Sequence, residues 1–292
     1  MPDTKWPTLP QPEPGSTLDM STLPKTDTSK VTVTSLLKFK EAGEKFTMLT
    51  AYDASFASVV DQAGVDLILV GDSLGMVIQG HDSTVPVKVE DILYHTRCVS
   101  RSCQRAMVMA DMPFMSFRDV PLALENATRF MQEGGAQAVK LEGGGHVLPV
   151  VEALANYGIP VCAHLGLQPQ YVNKLGGYRV QGRDKSIAKR MLQEAKTMQD
   201  SGADMLVLEC VPAGLAQEIS QSLTIPTIGI GAGVDCDAQV LVLYDLLGIS
   251  FGKVPKFARD FLAGADSIQS AVEAYVKAVK AGTFPAAEHT FN

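Results

Sequence analysis

The 292-residue sequence predicts a (β/α)8 barrel of the TIM type, and three observations carry that expectation. Eight short runs rich in Val, Ile, Leu and Met alternate with stretches of helical periodicity. Residues 31–292 match the roughly 250 residues typical of such a barrel. The first strand-like run ends in Ala51-Tyr52-Asp53-Ala54, without the glycine-rich turn that marks a doubly wound open sheet.

The elements follow in order. Residues 1–30 hold Pro2, Pro7, Pro10, Pro12, Pro14 and Pro24 among Ser, Thr and Asp. Such a stretch buries little apolar surface, so a mobile tail is expected ahead of one barrel domain over 31–292. It has no apolar core segment and no Arg, and reads as neither a secretory signal nor a transit peptide. Residues 35–40 read as a short helix. Strand-like runs then stand at 46–51, 66–71, 106–111, 137–142, 159–164, 204–210, 225–230 and 239–244. Most are continuous apolar runs, which suit parallel strands covered on both faces. Between them, 184–202 places Ile187, Met191, Leu192, Ala195 and Met198 on one helical stripe. Gly64, Gly134-Gly135 and Gly202 stand just ahead of strands and read as helix stops. Ile268, Val272, Tyr275, Val276 and Val279 make a last helix.

Composition narrows the function classes. With 46% hydrophobic and 20% charged residues, global disorder is excluded. A net charge of −7 disfavours an electrostatic nucleic-acid binder. No apolar run approaches the roughly 18 residues of a membrane span. Five cysteines without framework spacing suit a reducing, cytoplasmic setting.

On a barrel, the C-terminal strand ends form the active face. Here those ends carry Tyr52-Asp53, Asp72-Ser73, Asp111, Lys140 with Glu142, His164, Glu209 and the loop Gly229–Gly233. Asp72, Asp111 and Glu142 come from consecutive strands, which lie about 4.8 Å apart. They can converge on one cation, and oxygen donors select a hard ion such as Mg2+. The same acids also suit capping of the helices that follow. Lys140 and Glu142 share one strand face. Lys140 there either meets an anionic substrate or forms a structural ion pair. Glu209, between Leu208 and Cys210, suits a general base or acid, or a paired structural carboxylate. His164 fits a site residue or a satisfied core histidine equally. Gly231 lies in a loop that Val234 removes from the G-x-G-x-x-G pattern, and tight packing near a ligand is expected. His95, Cys98 and Cys103 match no zinc spacing and read as packing residues.

These residues lie in longer strings. Thr50-Ala51-Tyr52-Asp53, Val70-Gly71-Asp72-Ser73-Leu74-Gly75-Met76 and Ala110-Asp111-Met112-Pro113-Phe114-Met115 come first. Val139-Lys140-Leu141-Glu142-Gly143-Gly144, AHLGLQPQ from Ala163, LECVP from Leu208 and IPTIGIGAG from Ile225 follow. In order and spacing the chain resembles the ketopantoate hydroxymethyltransferase family from about Val31 to its C-terminus. The resemblance implies a barrel of the phosphoenolpyruvate/pyruvate type. It implies hydroxymethyl transfer from 5,10-methylenetetrahydrofolate to 3-methyl-2-oxobutanoate, giving 2-dehydropantoate (ketopantoate) for pantothenate and coenzyme A synthesis. It implies one Mg2+ per subunit and a homodecamer of two pentameric rings.

The family's metal acids fall on Asp72, Asp111 and Glu142. Its substrate contacts fall on Ser73 and Lys140, with Asp72 and Asp111 at the same place, and its base on Glu209. Tyr52, His164 and Gly231 are possible lining positions. In the implied chemistry the ion stabilises an enolate as Glu209 removes the C3 proton, Lys140 neutralises the substrate carboxylate, and Ser73 orients it. The chain departs from the family's T-D-G-Q at Cys236-Asp237-Ala238-Gln239 and from a frequent His-Asp at Tyr244-Asp245. It also runs one residue longer around Gly134-Gly135, expected as a surface change. A keto-acid lyase or mutase would keep the acids without needing folate, but the K-K-C-G-H loop of isocitrate lyase-like enzymes is missing. A non-catalytic barrel need not keep these acids, the Lys and the Glu together.

Overall fold

Burial on two sides decides which segments become strands. The computed structural model describes residues 29–250 and 254–292. Most of the expected tail, residues 1–28, therefore lies outside the described residues. The strands are β1 (Phe46–Thr50), β2 (Leu67–Val70), β3 (Met107–Asp111), β4 (Ala138–Glu142), β5 (Val161–Gly166), β6 (Met205–Glu209), β7 (Thr227–Ile230) and β8 (Ala238–Leu241). They pair in sequence order, all parallel, and β8 closes back on β1 from Phe46 opposite Ala238 to Leu49 opposite Leu241.

Side-chain direction alternates along every strand. One phase, including Phe46, Met48, Leu67, Met107, Met109 and Met205, fills the barrel lumen. The other phase, including Leu49, Ile68, Val108, Leu141 and Leu206, packs outward beneath the helices. Both faces are buried, which is why the strands read as unbroken apolar runs.

The helix Val33–Ala42 starts at Thr32, whose side chain accepts from the Ser35 N–H. Its Leu36 is fully buried in the lumen cluster, so this helix plugs the N-terminal end of the barrel. The helix Lys185–Asp200 is capped by Asp184 and buries Met191, Ala195 and Met198. Gly64, Gly135 and Gly202 all adopt positive φ just past helix ends, as expected of helix stops. The last helix, Ile268–Lys280, buries Val272, Tyr275 and Val279. The Tyr275 hydroxyl reaches the carbonyls of Met48 (3.0 Å) and Gln239 (2.8 Å), spanning the β1–β8 closure.

Most strand boundaries shift by one or two residues from the sequence reading, and two strands differ in ways that matter. The eighth strand ends at Leu241, and Leu243–Leu246 is a short helix. The Leu243 N–H donates to Thr50 Oγ1 at 2.9 Å, which turns the chain, and Leu243 and Leu246 are buried as helix residues. β5 runs two residues past His164, to Gly166. Among the described residues no helix is long and apolar enough to cross a membrane.

Truncating the plug should be felt across the lumen. Leu36→Ala is expected to cost about 3 kcal/mol in urea unfolding, the usual loss for a fully buried leucine. A cost under about 1 kcal/mol would show that this helix does not plug the barrel.

Candidate active site

The inward phase of the strands continues into ionisable residues. Above Met109 stands Asp111; above Ala138 stand Lys140 and Glu142. His164 follows Cys162, and Glu209 follows Val207. The lumen thus changes from apolar to charged within one turn of the pleat. Register brings the partners together: Asp111 lies opposite Lys140, Glu142 opposite His164, and Gly166 opposite Glu209. Lys140 Nζ is 2.7 Å from Asp111 Oδ1 and 3.8 Å from Glu142 Oε1. His164 stands between two carboxylates, 3.6 Å from Glu142 and 3.3 Å from Glu209. Neither ring nitrogen makes a well-directed hydrogen bond, so these contacts are chiefly charge on charge.

Gly166 makes this crowding possible. A Cβ there would sit 2.2 Å from the Glu209 carbonyl oxygen, and its φ of +94° suits glycine. Just after Glu209, Cys210 holds a left-handed φ of +48°, a strained turn at the strand end.

Asp72 comes from the turn after β2, and its N–H donates to Asp111 Oδ2 at 3.2 Å. Ser73 Oγ lies 2.9 Å from the Tyr52 hydroxyl. None of Asp72, Asp111 and Glu142 caps the helix after its strand; the aspartates that do cap helices, Asp53, Asp119 and Asp184, follow β1, β3 and β5. Sequence reasoning passed over Gln170. It is buried in the loop after β5, and its Nε2 donates to Asp72 Oδ2 (2.9 Å) and to the Met112 carbonyl (3.0 Å). Its backbone N–H donates to Glu142 Oε2 at 3.0 Å. No periodicity marks it; its place in the AHLGLQPQ string is the one available signal.

Charge is unbalanced here. Four carboxylates, Asp72, Asp111, Glu142 and Glu209, face two bases, Lys140 and His164. Burial pushes the Asp72 carboxyl well above the usual range, and repulsion from Asp111 and Glu142 adds to it. Burial likewise pushes Asp111 up, with Lys140 pulling it partly back. Burial alone would raise Glu142 too, but His164 and Lys140 hold it below the ordinary value. Burial opposes the charged forms of Lys140 and His164. Asp111 and Glu142 outweigh that for Lys140, which stays an ammonium. Glu142 and Glu209 do the same for His164, raising it to about 9.

These groups line the floor of a cavity of about 750 Å³. Asp72, Ser73, Asp111, Lys140, Glu142, His164 and Glu209 all border it, while Tyr52 and Gly231 stand just behind its wall. His95 and Cys98 pack on the helix Val89–Ser100, His95 Nδ1 lying 2.6 Å from the Tyr52 carbonyl oxygen; Cys103 is buried just beyond that helix. Among the described residues no three His, Cys, Asp or Glu side chains form a ready set of direct metal ligands. Lys140 occupies one oxygen of Asp111, and Gln170 one of Asp72. The remaining hard oxygens, short of positive charge, still suit a cation that keeps much of its water.

A sequence model of the ketopantoate hydroxymethyltransferase family matches residues 30–287. The chain belongs to this family. It is 60% identical over 261 residues to the 3-methyl-2-oxobutanoate hydroxymethyltransferase of Alkalilimnicola ehrlichii, covering 89% of this chain and 94% of the relative. Identity to the protein of the same name from Shewanella loihica is 58%, over 90% of this chain and all of that one. As a member of the ketopantoate hydroxymethyltransferase family the chain is an enzyme, a transferase. Solved structures place the barrel. A phosphoenolpyruvate phosphomutase from Streptomyces platensis subsp. rosaceus aligns with a TM-score of 0.56 at 14% identity, over 89% of this chain and 92% of that one. A 2,3-dimethylmalate lyase of the PEP mutase/isocitrate lyase superfamily aligns at 0.54 and 18%, over 74% and 82%. These likenesses show the same (β/α)8 barrel fold.

Gln170 offers a direct test. Its amide favours ionised Asp72, so Gln170→Leu should raise the proton affinity of that carboxyl further. If ionised Asp72 is required, the acid limb of the pH–activity profile should move to higher pH, with activity at neutral pH falling about tenfold. An unmoved acid limb would separate Gln170 from the working state of Asp72.

Proposed function

We propose that the chain transfers a hydroxymethyl group from 5,10-methylenetetrahydrofolate to 3-methyl-2-oxobutanoate, giving 2-dehydropantoate in pantothenate synthesis. The observation that carries this reading is one constellation: a buried ammonium beside three carboxylates, and Glu209 across His164 at the edge of the same cavity. The names of the relatives point the same way.

Each residue then has a task. The Lys140 ammonium meets the substrate carboxylate, which the acidic floor would otherwise repel. Ser73, held by Tyr52, directs its hydroxyl at the bound acid. Glu209 takes the C3 proton, and the C–H electron pair delocalises towards the keto oxygen. That pair then forms the bond from C3 to the one-carbon unit. Both C–N bonds of the methylene carbon break, water supplies the hydroxyl oxygen, and tetrahydrofolate leaves with its two nitrogens protonated by the equivalent of the C3 proton and one proton of that water. His164 holds Glu209 in place by charge. Asp72, Asp111 and Glu142 are the residues that would hold Mg2+, one per subunit. Bound there, the ion supplies Lewis-acid stabilisation of the charge that grows on the keto oxygen. A homodecameric assembly belongs to the same reading through the family resemblance, and a cytoplasmic setting is supported by the unpaired cysteines.

Proton NMR of 3-methyl-2-oxobutanoate in D2O tests the reading. Loss of the C3 proton signal without folate, and ketopantoate with it, is expected. Exchange without product would keep the keto acid and reject the donor; no exchange would reject both. Glu209→Gln should lower kcat at least a hundredfold with keto-acid affinity nearly unchanged. Near-normal turnover would remove Glu209 from the base role. Asp111→Asn should weaken Mg2+ binding tenfold or more by calorimetric titration. An unchanged isotherm would reject Asp111 as a ligand.

A further inference from the structure

The cavity is much larger than a small keto acid, and its lining changes away from the charged floor. Val240, Val242, Val254, Phe257 and Phe291 make up much of it, with Lys256 beside them, its Nζ donating to the Thr290 carbonyl and lying 5.2 Å from the Phe291 ring. Among them stands one buried carboxylate, Asp245, on the short helix after β8. The Ser250 hydroxyl donates to its Oδ1. Burial pushes its carboxyl above the ordinary value, Ser250 pulls it partly back, and no basic side chain among the described residues offsets it. The chemistry derived above gives Asp245 no task.

Two rings flank it. A Cβ on Gly231 would lie 3.0 Å from both Phe257 and Phe291, so the two side chains converge over that glycine. The segment carrying Phe257 is pinned to the helix carrying Asp245, because the Phe261 N–H donates to the Leu246 carbonyl at 2.8 Å. Phe291 is held by its own carbonyl, which accepts from the Ala213 N–H at 3.0 Å. Asp245 also adjoins the keto-acid end. Burial raises the Tyr52 phenol, and the charge of Asp245 adds to that, while the Tyr52 hydroxyl contacts Ser73.

We propose that Asp245, Phe257 and Phe291 form the subsite for the pterin ring of the folate cosubstrate. This rests on methylenetetrahydrofolate being the donor. The pyrimidine edge of a pterin presents its 2-amino N–H and its N3–H side by side. That pair matches the two oxygens of a carboxylate, as a guanidinium does, in charge-assisted geometry. The flat bicycle needs an apolar wall, which the two phenylalanines supply. The other cavity carboxylates are less suited. Asp72, Asp111, Glu142 and Glu209 are tied to Lys140, His164 or Gln170, and Asp82 is exposed and hydrated.

The test uses the full chain with Mg2+ and two variants, Asp245→Asn and Phe291→Leu. Asparagine sets an amide donor against one of the two pterin donors. The KM for methylenetetrahydrofolate should rise at least tenfold in Asp245→Asn and several-fold in Phe291→Leu. Folate-free C3 proton exchange should stay within about threefold of the unsubstituted chain, and tetrahydrofolate binding by calorimetry should weaken in parallel. An unchanged folate KM in both variants overturns the subsite. So does an equal fall in exchange and transfer, which would assign Asp245 to the keto-acid machinery. If Asp245→Asn does not fold, Phe291→Leu decides by the same two readouts. An unsubstituted chain that exchanges the proton but never forms ketopantoate rejects the donor itself, and that outcome is distinct from the variant results.

Discussion

A buried ammonium organises the catalytic end of this barrel. The Lys140 side chain is only 6% exposed, and an unpaired charge there would cost several kcal/mol. It is tolerable because Asp111 stands 2.7 Å away and Glu142 3.8 Å. Those carboxylates bring a charge problem of their own. With Asp72 beside them, the acids exceed what one lysine can compensate, and burial with mutual repulsion pushes Asp72 upward. The floor is therefore short of positive charge before any ligand arrives. A site in that state takes up protons or a hard cation, and a bound cation lets an anionic substrate approach.

Such a floor needs a rigid base, which the rest of the lumen supplies. Below Asp111 and Lys140 the inward side chains are Met109, Met107 and Ala138, closed off by Leu36 from the plug helix. The ion pair at the far end has a different character. Asp66 is fully buried, accepts from the Thr47 backbone, and meets Arg105 at 2.6 Å. Its charge is matched by fixed partners, so it ties β1, β2 and β3 together and leaves nothing for a ligand. Two buried acidic networks thus serve opposite ends, and the difference is whether the protein completes the charge balance itself.

Much of this was legible along the chain because strand parity is simple. Asp111, Lys140, Glu142, His164 and Glu209 all fall in phase with inward apolar residues, so their meeting follows from a period of two and a closed sheet. Whether acids cap helices or face the lumen was not legible, since both uses place Asp at a strand end. The structure separates Asp53, a cap, from Asp72 and Asp111, which are not. The end of β8 was misread because an apolar run such as Val242-Leu243-Tyr244 suits a strand or a short buried helix equally. Gln170 escaped notice because its loop carries no periodicity, and Asp245 stood out only as the second residue of an altered His-Asp pair; the surroundings of both arise only when distant segments close over the barrel mouth. Tyr52 and Gly231 act one layer back, supporting Ser73 and admitting the two phenylalanines.

His164 joins the two functional halves. Its nitrogens face Glu142, one of the proposed metal holders, and Glu209, the proposed base. Burial opposes protonation, yet the two carboxylates outweigh it, and the ring remains an imidazolium at neutral pH. Two carboxylates brought this close to one small substrate would repel each other through a low-dielectric interior. A cation between them removes that conflict. In the proposed function it leaves Glu142 free to hold the metal and Glu209 to stand at the reacting carbon. The fold makes this possible only because β5 presents His164 between β4 and β6, and because Gly166 lets the end of β5 pass against the Glu209 backbone. The placement of the proposed base is thus set by the same strand order that closes the barrel.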